Sequence, residues 1–431
     1  MSIIQNEIKK CSKESYSVLF VLPEAFQLGW MGATRRLFQF AKGFHELGFN
    51  IGLLTGKMVD PETQSKFDRQ FPGLVFRTEH TGAYPRAMDV SAIPRRAWRG
   101  IWKLHGEEYY DAQLSYGWAS ALNVDRIIRQ FDCEGFRPDL LWGICGGYLD
   151  GGVAADKLAN RLNLPWIFEL RDPPRGCGLG KDRAAICAEF RRLLESSFRI
   201  VVTTRSYQEH LIERFSLNSQ NVDVIYSLLE EETQDLGDFA WSSPWHIVYV
   251  GSLNEGRSLD PLLNGFCASI DRQPHLRDNS IIDIAGSGPG LVEMETLAKN
   301  IGIDNNLCIH GYIPRDKVNA LVKSAGILIV AQTKRTSRFQ IPGKLFEYMS
   351  FGKPIIGIMP TECEAANILR HSGLGFIHSE ADIGGIADTL IRLHTDWTAR
   401  RSSVKIDHNY ISQFSPSSFP DRLRSVLPGE K

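Results

Sequence analysis

RFQIPGKLFEYMSFGKPII, residues 338–356, decides the fold. Ile341-Pro342-Gly343 reads as a turn, Lys344 to Phe351 as a short helix and Gly352-Lys353-Pro354 as its stop. Glycine is favoured just past a helix end, and proline cannot continue a helix. The apolar run Ile355 to Ile358 then reads as a buried strand. A helix opening behind a glycine turn presents free N–H groups and the positive end of its dipole, which suits a phosphate. Glu347 stands one turn inside, within reach of sugar hydroxyls at that mouth. The same pattern would also serve an ordinary αβ unit of a parallel sheet.

The chain has 431 residues, enough for two or three domains with cores of their own. It is 43% hydrophobic and 23% charged, the balance of a globular protein. A formal net charge of −1 gives no global attraction to nucleic acid. The eight cysteines form no CxxC pair, which argues against a zinc site or a disulfide scaffold and fits a reducing cytoplasm. No apolar run approaches a membrane span, and the N-terminus MSIIQNEIKKCSKE is too polar for a signal peptide.

The first half opens with strand Ser17 to Leu22, a helix carrying Leu37, Phe40, Ala41 and Phe44, and strand Asn50 to Thr55. This βαβ unit places Gly29 and Gly32 at a strand's carboxyl end, where a ligand can approach the backbone. Between residues 80 and 110 the alternation lapses. Arginines and tryptophans interleave over 93–103, suiting either an anionic membrane surface or a helix packed on its aromatic side. Alternation resumes near Pro138, and a second strand delivers Glu169, Arg171 and Asp172 to its end before two prolines. Charges there make either an ion-pair cluster or a site. Gly176 to Lys181 imitates a P-loop, but its spacing is short and Asp182 stands where Ser or Thr is required.

The acidic, aperiodic stretch 229–240 reads as a domain boundary. After it the βα pattern restarts: strand His246 to Val250, a loop with Gly251 and Arg257, then a helix from Leu259. Strand Ile281 to Ala285 leads into Gly286-Ser287-Gly288-Pro289-Gly290, a tight backbone loop but a poor dinucleotide fingerprint, because Leu291 replaces the last glycine. Further strands follow at Leu307 and Gly326, with a last helix near Ala387 to His394. The expected architecture is α/β, with two doubly wound Rossmann-like domains and a cleft between them. The expected boundaries are 1–228 and 229–400, with a tail over 401–431 packing back toward the first domain.

Four ordered motifs in the second half carry a family resemblance: VYVGSLNEGRSLDPLL, IAGSG, IHGYIPRDKV and PGKLFEYMSFGKPII. They resemble the donor domain of family 4 glycosyltransferases, and FELRDPP resembles a strand end near the reaction centre of one branch. The resemblance implies the GT-B fold and transfer of a sugar from a nucleotide-sugar donor with retention of configuration. It implies that Glu347 holds the ribose hydroxyls, Gly343 and Lys344 lie near the diphosphate, and Arg257 neutralises the leaving group. Gly251, Gly286 and Gly288 would line the donor, Gly29 and Gly32 the acceptor or phosphate loop, and Asp172, Arg171 and Glu169 the reaction centre. No metal or other cofactor is expected, and the chain has no DxD triplet. Phe339 replaces a glutamate usual in the family, Ser252 replaces an arginine, and Arg171 stands in place of a histidine. The expected partners are a nucleotide-sugar and a glycan or lipid-linked acceptor in surface polysaccharide synthesis, on or near the cytoplasmic face of a membrane. Two other readings remain on this fold: a silent sugar-nucleotide-binding partner, and a nucleotide-sugar epimerase.

Overall fold

The computed structural model describes residues 16–23, 32–56, 61–79, 115–178, 182–230, 241, 243–253 and 256–428. Contacts divide the chain into one unit of residues 1–226 with 419–431 and another of residues 227–418.

In the first unit, β1 (Ser17–Val21), α1 (Gly32–Glu46) and β2 (Asn50–Thr55) make the opening βαβ. α2 (Pro61–Gln70) and β3 (Val75–Thr78), unmarked by any strong period in the sequence, extend it. There follow α3 (Val124–Cys133), β4 (Leu140–Gly146), α4 (Asp150–Leu162), β5 (Trp166–Asp172), α5 (Ala184–Ser196), β6 (Arg199–Val202), α6 (Arg205–Phe215) and β7 (Val222–Val224). The sheet order is β3-β2-β1-β4-β5-β6-β7, with every pairing parallel. The order reverses between β1 and β4, and open α/β sheets bind ligands beyond the strand ends at such a point. All five residues of β1 are buried, as a strand covered on both faces requires.

One side of this sheet is closed by aromatic packing. Phe20, Phe40, Phe44 and Trp142 are each no more than 0% exposed, with Trp142 5.4 Å from both Phe40 and Phe44. A side chain of this size contributes about 1.5–3 kcal/mol on full burial. The helix Phe419–Val426 completes the layer: Phe419 lies 4.7 Å from Phe40, and a Cβ at Gly43 would meet its ring at 2.6 Å.

The second unit repeats the plan. It contains β8 (Trp245–Val250), α7 (Asp260–Arg272), β9 (Ser280–Ala285), α8 (Gly290–Asn300), β10 (Leu307–Gly311), α9 (Arg315–Ser324), β11 (Ile327–Ala331), α10 (Gly343–Met349), β12 (Ile355–Ile358), α11 (Glu364–His371), β13 (Gly375–His378) and α12 (Ile383–Thr398). The parallel order is β10-β9-β8-β11-β12-β13, with the switch between β8 and β11. The expected stop after α10 has an added cause. Buried Lys353 donates from Nζ to the carbonyls of Lys323 and Ala325, each at 2.6 Å, capping the end of α9. That burial pushes its ammonium down to about 8.

One expectation is corrected. Cys177 and Cys187 are joined by a disulfide, with Cα atoms 5.2 Å apart. They stand ten positions apart, so no CxxC spacing announced the pair; the turn after β5 folds back onto α5 and brings them together. No described helix is long and apolar enough to cross a membrane. Residues 93–103 and Gly29 lie outside the described residues.

Candidate functional site

The second unit gathers its candidates at the carboxyl end of β8. The strand is buried from Ile247 to Tyr249, and Gly251 then turns the chain at φ 140°, a region an L side chain rarely adopts. A Cβ there would lie 2.4 Å from Lys344 Nζ. A Cβ at Gly286 would lie 2.0 Å from the Gly251 carbonyl oxygen, so that position must be glycine for the backbones to meet. They meet through hydrogen bonds from Gly251 N to Ala285 O at 2.8 Å, Leu253 N to Ser287 O at 2.9 Å and Gly286 N to Gly311 O at 2.8 Å. Gly288, at φ 133°, continues this loop toward α8.

Lys344 is the second residue of α10, directly after Gly343. Its Nζ sits 3.9 Å from the centre of the Tyr249 ring. That atom is closed off from solvent and has no hydrogen-bond partner, although the side chain as a whole is only half-buried. Burial pushes the ammonium down to about 7; nearby Arg257 pushes the same way, and Glu347 pulls back. A cation over an aromatic face gains on the order of 1–2 kcal/mol, less than a desolvated, unbonded ammonium costs. The site therefore favours an incoming anion.

The surroundings hold this lysine in place. Tyr249 donates from its hydroxyl to Ser252 O at 3.1 Å, and Val250 N donates to the Tyr348 hydroxyl at 2.9 Å, tying α10 to β8. Arg257 donates from Nη1 to Ser252 O at 3.1 Å, while its buried Nε has no partner. Glu347 is 8% exposed, and its Oε1 lies 2.5 Å from Arg315 Nη2. Arg315 also stands 3.6 Å from Glu230, so the glutamate is oriented by a cation already in the fold. Phe339, where the family resemblance calls for a glutamate, is 2% exposed and packs inward under the Arg338 guanidinium.

The first unit's candidates form a different group. Glu169 lies in the middle of β5 rather than at its expected carboxyl end and is fully buried: Arg36 Nε donates to Oε1 at 2.6 Å and Trp142 Nε1 to Oε2 at 2.5 Å. Arg36 also donates to Ile225 O at 2.8 Å, leaving only Nη1 without a bond. Both carboxylate oxygens of Glu169 are thus taken up inside the fold. Arg171 and Asp172, past the register shift beside Gly146, are half-buried at the strand end. Arg171 presses so close to Gly146 that a Cβ there would meet Nη2 at 2.1 Å, and its Nε has no partner. Gly32 opens α1 and is exposed, with open space around it.

Sequence reading missed Tyr249, Tyr348, Arg315 and Arg36 as partners. Arg36 could have been found: it sits at helical spacing with Phe40 and Phe44, and a charge on that apolar face needs a partner. The other three depend on which strands and helices meet. Among the described residues, donor atoms spaced for a metal ion gather at Asp283–Cys308–His310 and at Cys177–Asp182–Cys187, where the disulfide takes up both sulfurs.

Comparison with known proteins bears on the fold. An uncharacterized glycosyltransferase of Methanocaldococcus jannaschii is 22% identical over 281 residues, covering 60% of this chain and 67% of that protein. Anabaena HepE, solved with UDP and glucose, superposes with a TM-score of 0.56 at 12% identity, covering 94% of this chain and 97% of its own. A mutant of S. aureus TarM, solved with Fondaparinux, alpha-GlcNAc-glycerol and UDP, gives 0.61 at 9% identity, covering 96% and 99%. Each unit thus carries the parallel-sheet, Rossmann-like fold found in GT-B glycosyltransferase structures. Residues 244–396, which hold the glycine loops, Lys344 and Glu347, match the family model described as "Glycosyl transferases group 1".

Proposed function

We propose that the chain is a retaining, metal-independent glycosyltransferase that moves a sugar from a nucleotide-sugar to a glycan, glycolipid or lipid-linked acceptor in surface polysaccharide synthesis. The observation that carries this reading is Lys344 Nζ, buried and unbonded against the Gly251 backbone at the mouth of β8. A diphosphate would supply the missing hydrogen bonds and restore full charge to the ammonium. Arg257 adds a second cation to the same group. Glu347, held by Arg315, accepts ribose hydroxyls.

In the reaction the bond between the anomeric carbon and the phosphate oxygen breaks, and its electron pair goes to the departing diphosphate. Lys344 and Arg257 face that developing charge from fixed positions, so they stabilise the transition state more than the ground state. The acceptor hydroxyl oxygen bonds to the anomeric carbon on the face the phosphate leaves. Its proton passes to the leaving phosphate oxygen. Asp172 and Arg171, half-buried at a strand end, are the first unit's candidates for binding an acceptor. Glu169 positions Arg36 and Trp142 rather than reacting.

Phe339 favours one second reading, a partner that binds donor without turnover, because its inward ring leaves no carboxylate for the transferred sugar. A thermal-shift screen with UDP-, GDP-, ADP-, dTDP- and CMP-linked sugars, without added metal, tests the donor site. The expected result is a rise in midpoint with one nucleotide class that is lost in Glu347→Ala. No rise with any of them contradicts the proposal. Product formation with lipid-linked glycans then separates transfer from silent binding.

A further inference from the structure

The second unit carries a cluster that the donor site does not use. β9 reads Ser-Ile-Ile-Asp-Ile-Ala, and its single charge, Asp283, is 3% exposed. Val248 pairs with Asp283 across β8 and β9, so His246, two residues earlier on β8, shares the face of Asp283. Cys308 pairs with Asp283 across β9 and β10, and His310 follows two residues later on that face. Four donor-bearing side chains therefore converge from three neighbouring strands, at the β10 edge of the sheet.

The distances are specific. His310 Nε2 lies 2.7 Å from Asp283 Oδ1, and His246 Nδ1 lies 2.7 Å from Asp283 Oδ2. The donor atoms of Asp283, Cys308 and His310 all lie within 4.8 Å of one another. Ligands about 2.0–2.3 Å from a tetrahedral ion stand within that separation of each other. The two exposed ligands, Cys308 and His310, leave one side open to solvent, which gives an ion an entry path and a water in the fourth position.

We infer that Asp283, Cys308 and His310 form a binding site for a divalent transition-metal ion of the zinc class, with His246 orienting the aspartate from behind. Imidazole, thiolate and carboxylate together select such an ion over calcium or magnesium, which take oxygen ligands. A histidine bonded to the second oxygen of a ligating carboxylate fixes its direction, the kind of outer contact that metal sites use. On binding, Cys308 gives up its thiol proton to solvent, and the His310–Asp283 hydrogen bond opens, the neutral imidazole keeping its proton on Nδ1, so that Nε2 and the carboxylate oxygen both face the ion. This ion is apart from the transfer chemistry: its ligands lie within the strands rather than on the Gly251 and Gly286 loops. Two strands supply its ligands and a third its orienting histidine, so no single sequence motif announces it.

Cobalt substitution tests this on the full chain, stripped with chelator and kept free of thiol reductant so that Cys177 and Cys187 stay paired. One equivalent of Co2+ should give the near-ultraviolet charge-transfer band of a thiolate ligand and the strong visible bands of a tetrahedral ion, displaced by one equivalent of Zn2+. Cys308→Ser should abolish the thiolate band, and His310→Asn should weaken Zn2+ binding at least tenfold. Both side chains are exposed on an edge strand, so both variants should fold. Zn2+ should raise the midpoint of the wild-type chain and not of His310→Asn. Absence of the bands, or bands unchanged in Cys308→Ser, would overturn the inference and leave a hydrogen-bonded His–Asp–His network only.

Discussion

Glu169, in the middle of β5, and Lys344, in the first turn of α10, each carry charged atoms closed off from solvent, and they are treated in opposite ways. Glu169 has both oxygens bonded, to Arg36 and to Trp142. Lys344 Nζ has an aromatic ring beneath it, a glycine backbone beside it and no hydrogen bond. A satisfied buried charge holds a fold together, whereas an unsatisfied one is a cost that a ligand can remove. Desolvation of the charged atoms does not separate the two cases; the hydrogen-bond inventory does.

The largest effect that could break this comparison is on stability. Glu169→Ala should cost about 3–5 kcal/mol, because it leaves the Arg36 guanidinium buried without its counter-charge. A denaturant titration read by midpoint checks it; a loss under about 1 kcal/mol would mean that Glu169 is not a structural residue.

Gly286→Ala comes next. Its Cβ would fall 2.0 Å from the Gly251 carbonyl, a backbone atom that cannot swing aside, so the loops must part. A loss of about 2–3 kcal/mol in stability and of most nucleotide-sugar binding is expected. Gly251→Ala should fold better, since the atom it meets is the end of a flexible lysine, yet bind donor as poorly. Equal stability for the two variants would contradict the loop contact.

Lys344→Met then sharpens the contrast with Glu169. It should leave stability near neutral pH unchanged or raised, while donor affinity falls at least tenfold, about 1.4 kcal/mol. The sign against pH follows from the lowered pKa. Between about 7 and its unfolded value of 10.5, the unfolded chain holds more of this proton, so stability rises with pH over that window. The variant should flatten the rise.

The smallest effect concerns a buried group that the account does not count as a site. His394, 1% exposed, has no hydrogen bond at either ring nitrogen and packs among Trp245, Trp397 and His275. Burial pushes it down to about 4, with His275 adding to the shift. The unfolded chain binds that proton from about 6.5 downward, so stability should be lost as pH falls from 6.5 toward 4, by on the order of 1–2 kcal/mol. His394→Leu should lessen the loss and leave donor binding unchanged. A change in donor binding would mean that missing bonds do not by themselves tell site from core.

The frame was legible in the sequence because buried parallel strands are continuous apolar runs. The bounds of β2 and β12 match those expected from Asn50 and Ile355 onward. β3, with four half-buried residues at the sheet edge, lacks that run and was not legible. In the site, glycines and Lys344 could be placed near a ligand edge from order alone. Their energetic state could not, because it depends on Tyr249 and Arg257 meeting the lysine across other elements. Glu169 is the converse: its charge was visible, but not the arginine on α1 that consumes it. The Cys177–Cys187 pair likewise depends on a chain reversal that local spacing does not encode.

Titration calorimetry at pH 8 in two buffers of different ionisation heat tests the central claim most directly, using the nucleotide-sugar found by the thermal screen. With Lys344 resting near a pKa of about 7, it is mostly neutral at that pH and must take up a proton as the diphosphate binds. The account predicts buffer-dependent heat from that uptake, absent in Lys344→Met together with at least a tenfold loss of affinity. Heat independent of buffer, with affinity unchanged in Lys344→Met, would contradict it.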